Sequence, residues 1–191
     1  MAAPQQDPDD VTRAGAFEPL FREHYRPVLA YVRRRAASED VDDVVADTFL
    51  VAWRRIERVP RDSPLPWLLA VARKTIATQR RGAARRDALH SRLQSSIGGE
   101  AESSSLGEPS TGAVAAALAR LGPKDREALT LIGWDGLRPR DAAAVMGEVP
   151  SAFYVRLHRA KRRLRRLLDE AAEEPSNSRF AHALETKEPI P

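Results

Sequence analysis

Three groups of side chains in this sequence have types and spacings that can do chemistry. Between Pro150 and Leu168 stand Arg156, Arg159, Lys161, Arg162, Arg163, Arg165 and Arg166, with no acid among them. A guanidinium is a planar fork of donors that fits phosphate oxygens and the acceptor edge of guanine, so such a segment offers nucleic-acid binding. A solvated basic helix face has the same composition, and spacing alone leaves that plainer role open. A second basic group, Arg73, Lys74, Arg80, Arg81, Arg85, Arg86 and Arg92, runs on from the segment SPLPWLLAVARK, which holds Trp67. Bases beside an aromatic can hold a phosphate backbone while an unstacked nucleobase is stacked or pocketed, although Trp67 at this spacing also fits a core position. The third group is acidic: Glu39, Asp40, Asp42, Asp43 and Asp47, with no base from Ala36 to Trp53. One block with an acidic face and a basic face suits a bridge between a protein partner and nucleic acid.

Composition narrows the classes. The chain has 191 residues, 42% hydrophobic, 30% charged and 6% aromatic, with a formal charge of +4. Of its 31 bases, 27 are Arg and 4 are Lys. Without Cys there is no disulfide framework, thiolate metal site or cysteine nucleophile. No apolar run approaches the roughly 18–20 residues of a membrane span, and the polar, acidic start, Met1 to Asp10, does not resemble a secretory signal. The expectation is a cytoplasmic protein with no membrane association. His24, His90, His158 and His182 are scattered without paired ligand spacing, so neither a metal nor a cofactor is predicted.

These groups need elements to position them. Residues 1–14 read as a disordered lead, 94–111 as a flexible linker with almost nothing to bury, and 170–191 as an acidic tail in which Phe180 and Leu184 can form one docking turn. The folded blocks are 15–93 and 112–169. In the first, Phe17, Leu20, Phe21, Val28, Leu29 and Val32 form one helical stripe. Ser38 is placed to cap a helix carrying Val41, Val44, Val45, Thr48, Phe49, Ala52 and Ile56. Ser63-Pro64 then opens a third helix through Leu65, Leu68, Leu69, Ala72 and Ile76. In the second block Thr111 can cap a helix that Gly122-Pro123 stops, and the next helix ends near Gly136. Pro139 opens an Ala-rich helix closed by Gly147, and Pro150 opens a long one reaching about Leu168. Alternating strand patterns are absent, so the predicted class is all-α: two small helical domains on a tether. Residues 138–168 have the layout of a helix-turn-helix, with Phe153 and Leu157 turned to the core.

Three segments carry a family resemblance: DDVVADTFLVAWRR (42–55), PWLLAVARKTIATQRR (66–81) and LRPRDAAAVMGEVPSAFYVRLHRAKRRLRRLL (137–168). In this order, across a linker, they resemble an extracytoplasmic-function sigma factor of the sigma-70 family, a specificity subunit of bacterial RNA polymerase. The resemblance implies that the first block is sigma domain 2. Asp43, Asp47, Phe49 and Trp53 would then serve docking on the clamp helices of the polymerase's largest subunit, the two aromatics as core or anchor. The loop Val59 to Ser63, with Arg61, Asp62 and Ser63, and the start of the next helix with Trp67 would hold a flipped base of the −10 element. Arg73, Lys74, Arg80 and Arg81 would track the backbone there.

The second block would be sigma domain 4, contacting the polymerase flap and reading the −35 duplex. Tyr154, Val155, His158 and Arg159 would face base edges, with Arg156 and Arg162 on phosphates. The linker would thread the core enzyme's channels, and an anti-sigma factor is a further implied partner. Against the family pattern, Lys74 replaces Asn near the base pocket, Ala46 replaces Gln, and Tyr154-Val155 replaces a Lys/Arg-Ser pair. Val155 can touch only apolar groups such as a thymine methyl, which implies an unusual −35 preference.

Two other functions fit parts of the chain. A free-standing helix-turn-helix regulator explains the basic final helix but leaves the acidic patch and the 73–92 cluster unused. Asp42-Asp43 with Asp47 faintly resembles a Mg²⁺-binding motif of helical prenyl-transfer enzymes, but no second Asp-rich motif accompanies it. The expectation is therefore a non-catalytic protein.

Overall fold

The computed structural model describes residues 8–93 and 112–185. The expected linker 94–111, the cap at Thr111, residues 1–7 and residues 186–191 lie outside the described residues. Among those described there are seven α-helices and no strand: α1 (Pro8–Arg33), α2 (Val41–Arg54), α3 (Pro64–Leu93), α4 (Ala113–Ala119), α5 (Pro123–Gly133), α6 (Pro139–Met146) and α7 (Pro150–Glu185). By contact the chain forms two compact units. One holds α1, α2 and α3 together with Arg140–Gly147, and the other holds α4, α5 and α7.

Each of α1, α2 and α3 packs on the other two. Val28, Tyr31 and Val32 from α1 meet Val41, Val44, Val45, Phe49 and Ala52 of α2 and Leu68, Leu69, Ala72 and Ile76 of α3 in a buried core. The spacings, three and four residues along each helix, put each set on one face. Thr48 is the buried polar member of α2, and its hydroxyl donates to the Val44 carbonyl at 2.7 Å. The first half of the expected α1 stripe is less enclosed: Phe17 and Leu20 are half-buried and Phe21 is exposed. The helix also runs through Pro19 and Pro27, each lacking an amide hydrogen, and its packing on two neighbours offsets those missing bonds.

Four boundaries differ from expectation. Helix α2 stops at Arg54, and Ile56, expected on it, opens a 3-10 turn over Ile56–Arg58 instead. Helix α1 begins at Pro8, inside the stretch read as a lead; proline suits a first helical turn, where its missing donor has no partner to lose. Ser38 does not cap α2. It opens a 3-10 turn over Ser38–Asp40, closed by the Asp40 amide donating to the Ala37 carbonyl at 3.0 Å, and α2 starts afterwards with Asp42 and Asp43 in its first turn. Helix α7 continues past Leu168 to Glu185, because the segment Asp169–Glu174 is acidic yet rich in Ala and Glu, which are strong helix formers. The side chains of Phe180 and Leu184 lie outside the described ones.

In the second unit α7 packs against both α4 and α5. Phe153, Leu157, Ala160 and Leu167 make its buried stripe, beside Ala117, Leu118, Leu121, Ala128, Leu129 and Leu131. Arg126 braces the end of α4, donating to the carbonyls of Leu118 at 2.9 Å, Ala119 at 2.6 Å and Leu121 at 3.1 Å. The Leu118 carbonyl also accepts from the Leu121 amide at 3.1 Å, and Arg126 adds side-chain donors where the chain leaves the helix. Helix α5 ends at Gly133, and the chain reverses through Gly136 at φ +66°, with the Leu137 amide donating back to the Leu131 carbonyl at 3.0 Å. Between α6 and α7 Gly147 has φ +67°, the left-handed value that only glycine adopts without a steric cost. The Phe153 amide donating to the Val149 carbonyl at 3.1 Å starts the α7 ladder.

Candidate nucleic-acid interface

Helix α7 sorts its residues cleanly. With Phe153, Leu157, Ala160 and Leu167 buried, the opposite line runs through Ser151, Val155, Arg162 and Arg166, flanked by His158, Arg159 and Arg165, all exposed. Tyr154 is 53% exposed and Val155 51%, apolar area that a folded monomer has no reason to display. The stripe from Ser151 to Arg166 spans about 22 Å at 1.5 Å per residue, enough to lie along a major groove. Its first turns carry the mixed group Tyr154, Val155, His158 and Arg159, and its later turns carry only cations.

Arg156 differs from the expected phosphate contact. It sits on the flank of α7, half-buried, with Nε donating to both Glu148 carboxylate oxygens at 3.1 Å. A second nitrogen reaches Glu148 Oε1 at 3.0 Å, and a third donates to Asp125 Oδ1 at 3.4 Å. The Arg156 pKa is raised above its usual value, first by the hydrogen bond to Glu148, with burial opposing and Asp125 adding to the rise. The guanidinium is already committed to two carboxylates.

The second basic group divides in two. On α3 the outward line is Trp67, Lys74, Thr78, Arg81 and Arg85, spaced by seven, four, three and four residues. Trp67 is half-buried at the start of this line, and Lys74 and Arg81 are exposed. Arg81 donates to the Thr78 hydroxyl at 3.1 Å, and Arg85 to the Arg81 carbonyl at 3.2 Å, so the cations hold one another's backbone in register. Arg73 and Arg80 fall on a different flank: Arg73 is half-buried, and Arg80 donates to the carbonyl of Arg35. Arg61, Asp62 and Ser63 are all exposed in the loop that leads into α3. The side chain of Arg92 lies outside the described ones.

The acidic group lies on α2. Asp42, Asp43 and Asp47 are exposed. Phe49 is 4% exposed, and its ring meets Phe21 at 4.7 Å, with Phe17 and Tyr25 at 6.3 Å, so it supports the helix from within. Trp53 is half-buried, edge-on to Phe17 at 5.2 Å with the Arg13 guanidinium over its ring. Sequence reasoning missed Leu50, which is 43% exposed in the middle of the outward line Asp43, Ala46, Asp47, Leu50 and Arg54. The signal was available: Leu50 is an apolar residue at the helical phase opposite Val44, Val45 and Thr48. Among the described residues, no group of three or more His, Asp or Glu side chains is placed to hold a metal ion, and no helix is long and apolar enough to cross a membrane.

Two family models match the chain, Sigma-70 region 2 over residues 20–86 and Sigma-70 region 4 over residues 111–164. The chain belongs to the sigma-70 family. Its curated relatives place it among the extracytoplasmic-function sigma factors. SigL of Mycobacterium tuberculosis (H37Rv) is 32% identical over 165 residues, covering 82% of this chain and 91% of SigL. BldN of Streptomyces coelicolor is 30% identical over 172 residues, covering 83% of this chain but only 62% of the longer BldN. The solved sigma factor RpoE of Bartonella quintana, in complex with the anti-sigma factor NepR, superposes with a TM-score of 0.60 at 26% identity, covering 80% of this chain and 98% of that one. This sigma factor is thus a promoter-recognition protein of RNA polymerase, from a family of specificity subunits rather than catalysts. Region 2 takes in the second half of α1, α2, the loop at Arg61 and most of α3, and region 4 takes in α4 to α6 and α7 as far as Leu164.

Proposed function

We propose that this sigma factor docks on core RNA polymerase through the outward line of α2, opens the −10 element at the 59–63 loop and α3, and reads the −35 duplex with α7. The observation that carries this is the segregation of charge. Asp43 and Asp47 precede an exposed Leu50 on one helix, with Arg54 one turn after it, while cations occupy the outward lines of two others. An apolar side chain preceded by two turns of exposed acids suits a basic protein surface, here the clamp helices of the largest subunit, better than it suits nucleic acid. On α3 a half-buried Trp67 in line with Lys74 and Arg81 suits a displaced strand whose bases stack while its phosphates are held. Strand opening then needs no covalent step, because capture of a flipped base offsets the few kcal/mol of unstacking.

Domain 2 is assigned to 15–93 and domain 4 to 112–169, with 94–111 as the tether that threads the core enzyme. The flap of the second-largest subunit is the partner of domain 4. An anti-sigma factor is a further partner, supported by the solved RpoE–NepR complex. The test is strand opening measured directly. Permanganate should detect unpaired thymines near −10 only when this chain and core polymerase are both present, and Trp67→Ala with Lys74→Ala should abolish that signal while −35 binding persists. Opening that survives the double substitution would refute the −10 assignment.

A further inference from the structure

On the edge of α7, Arg156 is engaged by two carboxylates from neighbouring segments. Arg156 stands four residues before Ala160 and one before Leu157, on the edge between the buried stripe of α7 and its outward line. Its side chain is 28% exposed, that of Glu148 16% and that of Asp125 25%, so the cluster is largely withdrawn from water. Glu148 lies in the turn before α7, and Asp125 is the third residue of α5. One side chain on the recognition helix therefore ties that helix both to its own turn and to the helix it packs on. The cluster holds one guanidinium and two carboxylates, a formal charge of −1, so a phosphate approaching it meets net repulsion rather than a free donor fork.

We propose that Arg156 is a positioning residue: clamped by Glu148 and Asp125, it sets the angle at which the first turns of α7 are presented, and it makes no contact with DNA. This rests on the reading of α7 as the −35 helix. A rotation of α7 about its own axis by one residue's worth, 100°, would replace Val155 at the outward line with a neighbour, so sequence reading depends on whatever fixes that angle. The buried apolar stripe restricts the rotation, but Leu157 and Ala160 are smooth surfaces. A forked ion pair with fixed hydrogen-bond directions adds the angular restraint that apolar contacts lack.

The two roles predict opposite signs for one substitution. Glu148→Gln removes a negative charge from a DNA-binding domain and keeps its shape. If Arg156 were a phosphate ligand, the substitution would release it and tighten binding. If Arg156 is a clamp, the substitution weakens recognition.

The experiment uses the full chain assembled with core polymerase, and fluorescence anisotropy on two short duplexes. One carries the −35 region of a promoter located by start-site mapping, and the other the same region scrambled. For Glu148→Gln the expected result is a five- to ten-fold loss of preference for the promoter duplex through weaker promoter binding, with scrambled-duplex affinity at most slightly raised by the lost negative charge and the salt slope unchanged. Arg156→Lys should lose a similar factor, because an ammonium cannot bridge both carboxylates as a fork. Arg162→Gln is the comparison, and should lower the slope of log K against log salt by about 0.9. Tighter promoter binding by Glu148→Gln, or a fall of about 0.9 in slope for Arg156→Gln, would overturn the clamp alone. An Arg162→Gln variant with undiminished affinity and slope would overturn the −35 reading of α7, and the clamp with it. Should Arg156→Gln fail to fold, the Glu148→Gln result decides the matter, since that substitution keeps the shape of the side chain and the packing around it.

Discussion

Leu50 and Phe49 are neighbours on α2 with opposite consequences, and the contrast tests how this helix is used. Phe49 is 4% exposed within a group of four other aromatic rings, Phe17, Phe21, Tyr25 and, one turn on, Trp53. Truncation to Ala removes a packed ring from a site that cannot close up, at a cost of about 3–5 kcal/mol of folding stability. Leu50 is 43% exposed, so a docked partner can bury the remaining two-fifths of its surface. Full burial of a leucine side chain is worth about 1.5–3 kcal/mol, and two-fifths of that is about 1 kcal/mol, or about five-fold in Kd. Leu50→Ala should therefore weaken binding of the labelled chain to core polymerase about five-fold in an anisotropy titration, and lower folding stability by about 1 kcal/mol, well short of the cost of Phe49→Ala. Leu50→Asp should weaken binding further, since it adds a charge to be desolvated, again with a melt well above that of Phe49→Ala. Phe49→Ala should lower the melting temperature first and lose core binding as a consequence. If Leu50→Ala left core affinity untouched, or if it melted as early as Phe49→Ala, the outward line of α2 would not be the docking face.

Further outcomes follow from the same geometry. The double substitution Arg162→Gln, Arg166→Gln removes two outward cations one turn apart, and the salt slope for a −35 duplex should fall by about 1.8; between 50 and 200 mM salt the native chain should then lose about twelve-fold more affinity than the variant. Gly147→Ala meets no neighbouring atom within 4 Å, so its cost is that of φ +67° alone, about 1 kcal/mol, read as a drop of several degrees in the melting temperature. Arg126→Met should cost more than an ordinary surface change, about 1–3 kcal/mol, because the Ala119 and Leu121 carbonyls lose their guanidinium donor while Leu118 keeps only the Leu121 amide. Equal stability for Arg126→Met and the native chain would show that water replaces the guanidinium there.

Much of the fold was legible because proline and glycine punctuate it. Pro64, Pro139 and Pro150 were read as helix starts and do start α3, α6 and α7, and Gly147 was read as the tight turn and has positive φ. The stripe of α2 from Val41 to Ala52 was also legible, since apolar residues at three-and-four spacing leave only one face to bury. The failures share a cause: they concern partners that sequence distance hides. Arg156 reaches Asp125 thirty-one residues away and Arg80 reaches the Arg35 carbonyl forty-five away, so both looked like free cations in a basic run. Arg126 likewise gives no sign in the sequence that it closes α4. Leu50 is a different case: it stands outside the apolar stripe of α2, and a single outward leucine carries no signal in the sequence beyond its helical phase until its exposure is seen. The end of α7 was misplaced because acidity was taken as a sign of a tail, whereas Glu and Ala propagate a helix irrespective of the charge they carry.

The central claim is that this chain confers promoter specificity on core RNA polymerase by binding, with no catalytic step of its own. In vitro transcription with purified core polymerase and this chain, read by mapping the 5′ ends of the transcripts, tests it most directly. The expected result is a set of discrete start sites that need both components, that share sequence near −10 and −35, and that disappear with Leu50→Asp. Tight, specific duplex binding by the chain alone, with transcripts unaltered by its addition to core polymerase, would contradict it.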